Sequence, residues 1–198
     1  MRLPALGLCL LLLSAGCVGG GPIYTPTHET GTTQTAHTPA DPVTPSSDHF
    51  EVEVERIENL IHEKMNERRV ENGVEPLARN ESLDAVARYK SWDMAQRDYF
   101  GHVGPNGTMH RDLRKHYGIE CMYSGQNIHL QRHTSDKSYP YPQSELSNEN
   151  QVSSDAVNSL LNSSGHRENA LSPDYDSQGI GVFVDENGSV YVTQELCG

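Results

Sequence analysis

The chain has 198 residues, with 15 basic against 27 acidic side chains and a formal net charge of −12. That balance repels nucleic acid and anionic lipid headgroups, which excludes both as partners of the folded part. The length and the 35% hydrophobic content leave room for one core of ordinary size.

The opening stretch, MRLPALGLCLLLLSAGC, carries one positive charge at Arg2, an apolar run from Leu6 to Leu13, then small residues and Cys17. This is the anatomy of an export signal, too short to cross a membrane as a mature helix. Ser14, Ala15 and Gly16 ahead of Cys17 resemble a lipoprotein cleavage box. Residues 1–16 are therefore expected to be removed and Cys17 to carry lipid; ordinary secretion with cleavage nearby is the alternative. Residues 17–49 are rich in Gly, Pro, Thr and Ser, with prolines at 22, 26, 39, 42 and 45. Such a segment cannot recover its ordering entropy by burial and reads as a partly extended linker, open to O-glycosylation. Loss of Arg2 leaves 14 basic against 27 acidic residues in the mature chain.

Residues 50–198 read as one domain. Val54, Ile57, Ile61 and Met65 recur at helical spacing, with Ser47 or Asp48 available as a cap and Gly73 as a stop. Leu83, Val86, Ala87, Met94 and Ala95 define a second helix, capped by Asn80 or Ser82. GHVGPNGTMH then breaks the period and reads as a loop. A strand is expected near 124–130. Residues 131–150 lack a buried stripe and hold two prolines, which predicts an inserted surface loop; Tyr139 and Tyr141, stiffened by Pro140 and Pro142, are its candidate ligand contacts. Val152, Ala156 and Leu160 mark a third helix, with a change from helix to loop expected at Gly165. GIGVFVD and SVYVTQEL, joined through Glu186, Asn187 and Gly188, read as an antiparallel hairpin. Helices followed by a terminal hairpin give the α+β class.

Cys9 leaves with the signal, so Cys121 and Cys197 remain as an isolated pair. In an oxidising compartment such a pair is expected to form a disulfide. His102 follows DYFG and His166 follows NSSG; their obvious joint use is to hold a divalent metal through imidazole nitrogens. Two imidazoles alone make a poor site, and Glu168 is the nearest carboxylate to join them. The structural reading of GHREN gives Arg167 and Asn169 the task of tying down a corner. Neither a nucleophile elbow nor a phosphate loop occurs, and Ser163 and Ser164 have no orienting partner. His110, His116, His129 and His133 read as polar loop residues. Asn80, Asn106, Asn162 and Asn187 lie in glycosylation sequons, with Asn106 and Asn187 expected in exposed turns.

Five ordered landmarks resemble one family. They are MNERRVENGVEPLARNESL, DMAQRDYFGHVGPNG, GQNI, GHRENAL and YVTQEL, spread over residues 54–198. Together they resemble the CAP superfamily (cysteine-rich secretory proteins, antigen 5 and pathogenesis-related proteins; the SCP-like domain), in its shorter microbial branch. The resemblance implies a three-layer α-β-α sandwich with a central antiparallel sheet, and a cleft where two histidines and two acidic residues can hold zinc or another divalent ion. His102 and His166 match the histidines. Gln126 replaces the first acid, and no carboxylate occurs between Val157 and Gly165, where the second is expected. The implied site, formed by His102, Gln126, His166 and Glu168, is thus expected to bind a divalent cation weakly through the two histidines and to require no cofactor. The function implied is an exported, surface-tethered, non-catalytic domain that binds a small apolar molecule, a glycan or a surface protein. A metal-assisted hydrolase or protease, and a structural envelope protein, are the alternatives.

Overall fold

In chain order, the computed structural model describes residues 52–132 and 148–198. The export signal, Cys17, the linker, His133, Tyr139 and Tyr141 lie outside the described residues.

Helix α1 spans Val54–Glu71, and its inward stripe of Ile57, Ile61, Met65 and Arg69 repeats every four residues. It begins at Glu53, later than Ser47 or Asp48, and closes through Asn72 and Gly73, whose φ of +74° suits glycine. A two-residue strand β1, Ala78–Arg79, follows. Helix α2, Glu81–Gln96, is capped by Asn80, whose side chain accepts from the Ser82 and Leu83 amides. A seven-residue helix α3, His110–His116, begins at the last residue of the GHVGPNGTMH loop, so that His110 and His116 are helical and not loop residues. Strand β2 is Ser124–Gln131, α4 is Glu149–Asn162, and α5 is Ser164–Ala170. Strands β3, Ser177–Val184, and β4, Val190–Cys197, form the expected hairpin, turned by Gly188 at φ +83°.

The sheet order is β1-β3-β4-β2. The three long strands are antiparallel, and β1 adds a short parallel pairing along β3, which makes the sheet mixed. Side chains alternate across it. On one face Ile180, Val182, Val190 and Val192 pack with Ile57, Ile61 and Met65 of α1 and Val152, Ala156 and Leu160 of α4. On the other face Ile128 and Tyr191 pack with Met94 of α2. The result is the expected three layers, with β2 at an edge.

Two features fix the layer geometry. Gly179 and Gly181 sit on the β3 face that meets α2; a Cβ at Gly179 would overlap the backbone of Leu83 and Asp84, and one at Gly181 the backbone of Ala87 and Arg88. The glycines let helix and sheet touch main chain to main chain. Beyond the end of β1, the edge of β3 takes its acceptors from side chains: Asp84 accepts from the Ile180 amide at 2.8 Å and Glu58 from the Val182 amide at 3.1 Å. Both carboxylates are buried, and Arg79 and Arg88 pair with them. An edge that would expose N–H groups is thereby closed. The Cys121–Cys197 disulfide forms, joining the segment before β2 to the end of β4.

Candidate functional site

His102 lies in the loop after α2, and His166 lies on α5. The two reach β2 from opposite sides of the sheet, and their rings stand 6.2 Å apart, edge to face. Adjacent residues of β2 hold them. Gln126 points toward the His102 loop, its Oε1 2.9 Å from His102 Nδ1. Asn127 points the other way: its Nδ2 donates to the His166 carbonyl at 3.0 Å, and its Oδ1 accepts from Asn169 at 3.1 Å. The alternation of a strand explains why the dipeptide Gln126–Asn127 serves both histidines.

Behind Gln126 lies a carboxylate that the sequence does not flag. Glu195 of β4 is the cross-strand partner of Gln126 and is fully buried. It accepts from Gln126 Nε2 at 2.6 Å and from the buried Arg114 of α3 at 2.8 Å. Arg114 also donates to His110 Nδ1 at 2.9 Å, so His110 belongs to this network. In sequence, the available signal was an acid at an inward position of the β-branched closing strand. The burial of that acid depends on an arginine 81 residues away.

The loop that carries His102 is anchored from below. Lys90 is buried in α2; its Nζ donates to the Tyr99 hydroxyl at 2.9 Å and the His102 carbonyl at 3.3 Å, and sits over the Tyr99 ring. The Tyr99 hydroxyl donates to Asp93, which also pairs with Arg97. Burial lowers the Lys90 ammonium to about 8 and raises the Tyr99 phenol. On the other side, burial and then the nearby His102 lower His166 below its ordinary value. His129, one register step along β2 on the same face as Asn127, is lowered by burial to about 4, and its Nε2 has no partner among the described residues.

GHREN is not the loop its punctuation predicts. It forms most of α5, and the helix distributes its residues by direction. Asn169 donates to the side chain of Asn127 on β2 rather than to turn backbone. Glu168 stands about 200° around the helix from His166 and lines, with Arg167, Leu161, Leu171 and Pro173, an open groove of about 740 Å³ that the histidines do not reach. Arg167 faces the same groove. The arginine that secures this corner is Arg69, buried in α1, which donates to the carbonyls of Ala170 at 2.7 Å and Ser172 at 2.9 Å. It satisfies acceptors that the last turn of a short helix leaves open. Among the sequons, Asn80 caps α2, and Asn106, Asn162 and Asn187 are exposed.

The donor set does not match a tightly held zinc ion. It comprises two imidazoles and an amide whose oxygen faces His102, whereas a closed site takes three or four imidazole, thiolate or carboxylate ligands. Among the described residues no group of three or more His, Cys, Asp or Glu converges on one point.

The family model for cysteine-rich secretory proteins (CAP) matches residues 62–196. The Bacillus subtilis protein YkwD is 31% identical over 145 residues, which cover 73% of this chain and 48% of that protein. An extracellular SCP-domain protein from Bacillus anthracis superposes with a TM-score of 0.58 at 25% identity, over 80% of this chain and 45% of its own. An outer surface protein from Borrelia burgdorferi shares the fold, with a TM-score of 0.60 at 14% identity over 74% of this chain and 95% of its own. The chain thus spans about half the length of the Bacillus proteins it matches.

Proposed function

The chain belongs to the cysteine-rich secretory protein family, and on that premise we propose that it is an exported, surface-tethered binding domain without catalytic activity. Its ligand is a small molecule with an apolar body, or an apolar patch on a glycan or surface protein, held along the edge of β2. The observation that carries this reading is the setting of the histidine pair. Two imidazoles 6.2 Å apart are backed by an amide, and the nearby carboxylate is sealed behind it. General acid–base work needs a positioned partner that can take a proton, and Gln126 cannot. Phe100 and Val103 flank His102 in sequence and are 46% and 50% exposed, which supplies apolar surface beside the polar ring. The export signal, the linker and the disulfide all suit display outside the cytoplasm.

Titration of the purified protein with a fluorescent long-chain alcohol, an apolar body with a hydroxyl donor, followed by amide and imidazole NMR shifts, tests the reading. Saturable shifts at His102, Val103 and His166 are expected, with affinity lowered at least tenfold by Val103→Asp. Peptide or ester hydrolysis abolished by both His102→Ala and His166→Ala, with the fold intact, would establish the hydrolase instead.

A further inference from the structure

Hydrogen-bond accounting around Gln126 fixes more than its position. A carboxylate held against the Arg114 guanidinium accepts hydrogen bonds, so the Gln126 atom 2.6 Å from Glu195 Oε1 is the amide nitrogen. The opposite flip would set carbonyl oxygen against carboxylate oxygen inside the protein, where such a contact has no water to relieve it. The amide oxygen therefore faces His102 Nδ1 at 2.9 Å. An oxygen acceptor there demands a proton on Nδ1. Arg114, itself buried, keeps Glu195 in place from the far side.

We propose that Glu195, acting through Gln126, holds neutral His102 as the Nδ1–H tautomer, so that Nε2 presents a lone pair to the cleft beside His166. Free histidine side chains favour the other tautomer, with the proton on Nε2, so this state is imposed by the fold. Glu195 touches no ligand and is a positioning residue. Its carboxylate sits one amide away from the imidazole, which orients the ring without placing negative charge in the cleft. A cleft that offers a bare Nε2 receives a hydrogen-bond donor, such as a hydroxyl, in preference to an acceptor. That selectivity rests on the binding role proposed above; the tautomer does not.

Long-range proton–nitrogen correlation NMR on the ligand-free, nitrogen-15-labelled protein reads the tautomer directly. At a pH where His102 is neutral, its Nδ1 is expected at the protonated, pyrrole-like position and its Nε2 at the bare, pyridine-like one. A proton on Nε2 with a bare Nδ1 would overturn the proposal. Glu195→Gln tests the origin of the effect but leaves Arg114 buried without its anionic partner and can unfold the protein. Gln126→Leu keeps the volume and leaves Arg114 paired with Glu195. With its backbone amide spectrum preserved, this variant is expected to shift His102 toward Nε2–H; retention of Nδ1–H would refute the relay. A protein with the expected tautomer that shows no ligand-induced shifts would refute the binding role alone. Ligand-induced shifts with the other tautomer would refute the relay alone.

Discussion

Protonation of His129 is opposed by burial, so this residue contributes to a loss of stability as the pH falls. Its folded value is about 4 against 6.5 for an unperturbed imidazole. Between those values the unfolded chain binds a proton that the folded chain refuses, so stability rises with pH across that window and falls as pH drops through it. Urea midpoints measured from pH 6.5 down to 4 are expected to decline, and His129→Leu to flatten the decline; a variant with the wild-type slope would clear His129 of the effect. Legibility at this scale was uneven. His102, Gln126 and His166 stood out because ordered motifs frame them. Glu195 did not, since TQEL reads as any closing strand until Arg114 is known to lie above it. Arg69 was equally silent: it continues the stripe of Ile57, Ile61 and Met65 as though it were apolar, and only the carbonyls of Ala170 and Ser172 explain why a guanidinium is there.

Elements whose own periodicity pays for burial were the readable ones. The helix stripes at Ile57–Ile61–Met65 and Val152–Ala156–Leu160 and the β-branched hairpin all carried their fold assignment locally. Helix α5 did not, because SGHRENA offers only Ala170 to the core and is held by Asn127 and Arg69 from other elements. Strand β1 was likewise invisible, being two residues that exist only by pairing with β3. The glycines of GIGVFVD were readable in principle, since alternate positions of a strand share a face. Gly181→Ala is expected to cost about 3 kcal/mol or more, because α2 cannot recede without disturbing the sheet contact. Gly165→Ala, where a Cβ meets nothing within 4 Å, serves as control and is expected to be neutral or stabilising by under about 1 kcal/mol. Equal effects at the two positions in chemical denaturation would refute the close-contact account.

At the scale of the whole molecule, buried carboxylates are matched by arginines, most of which keep part of their side chain in solvent. Glu58, Asp84, Asp93 and Glu195 are buried beside Arg79, Arg88, Arg97 and Arg114, while Arg69 and Lys90 are buried as well. These residues order the layers. The disulfide then closes a separation of 76 residues that contains β2, α4, α5 and the hairpin. Chain-entropy arguments put the stabilisation from such a closure at about 4 kcal/mol. Reduction is therefore expected to lower the urea midpoint markedly, an effect that Cys121→Ser should reproduce; an unchanged midpoint would show that the bridge adds nothing to the fold. The glycine pair on β3 has a wider reach than its own neighbourhood. The end of α2 leads into the segment that bears His102, whereas Glu195 and Gln126 ride on the sheet. Two absent methyl groups therefore act as a gauge for the gap between them, so a variant far from the histidines could widen or narrow the mouth of the cleft without altering any residue that lines it.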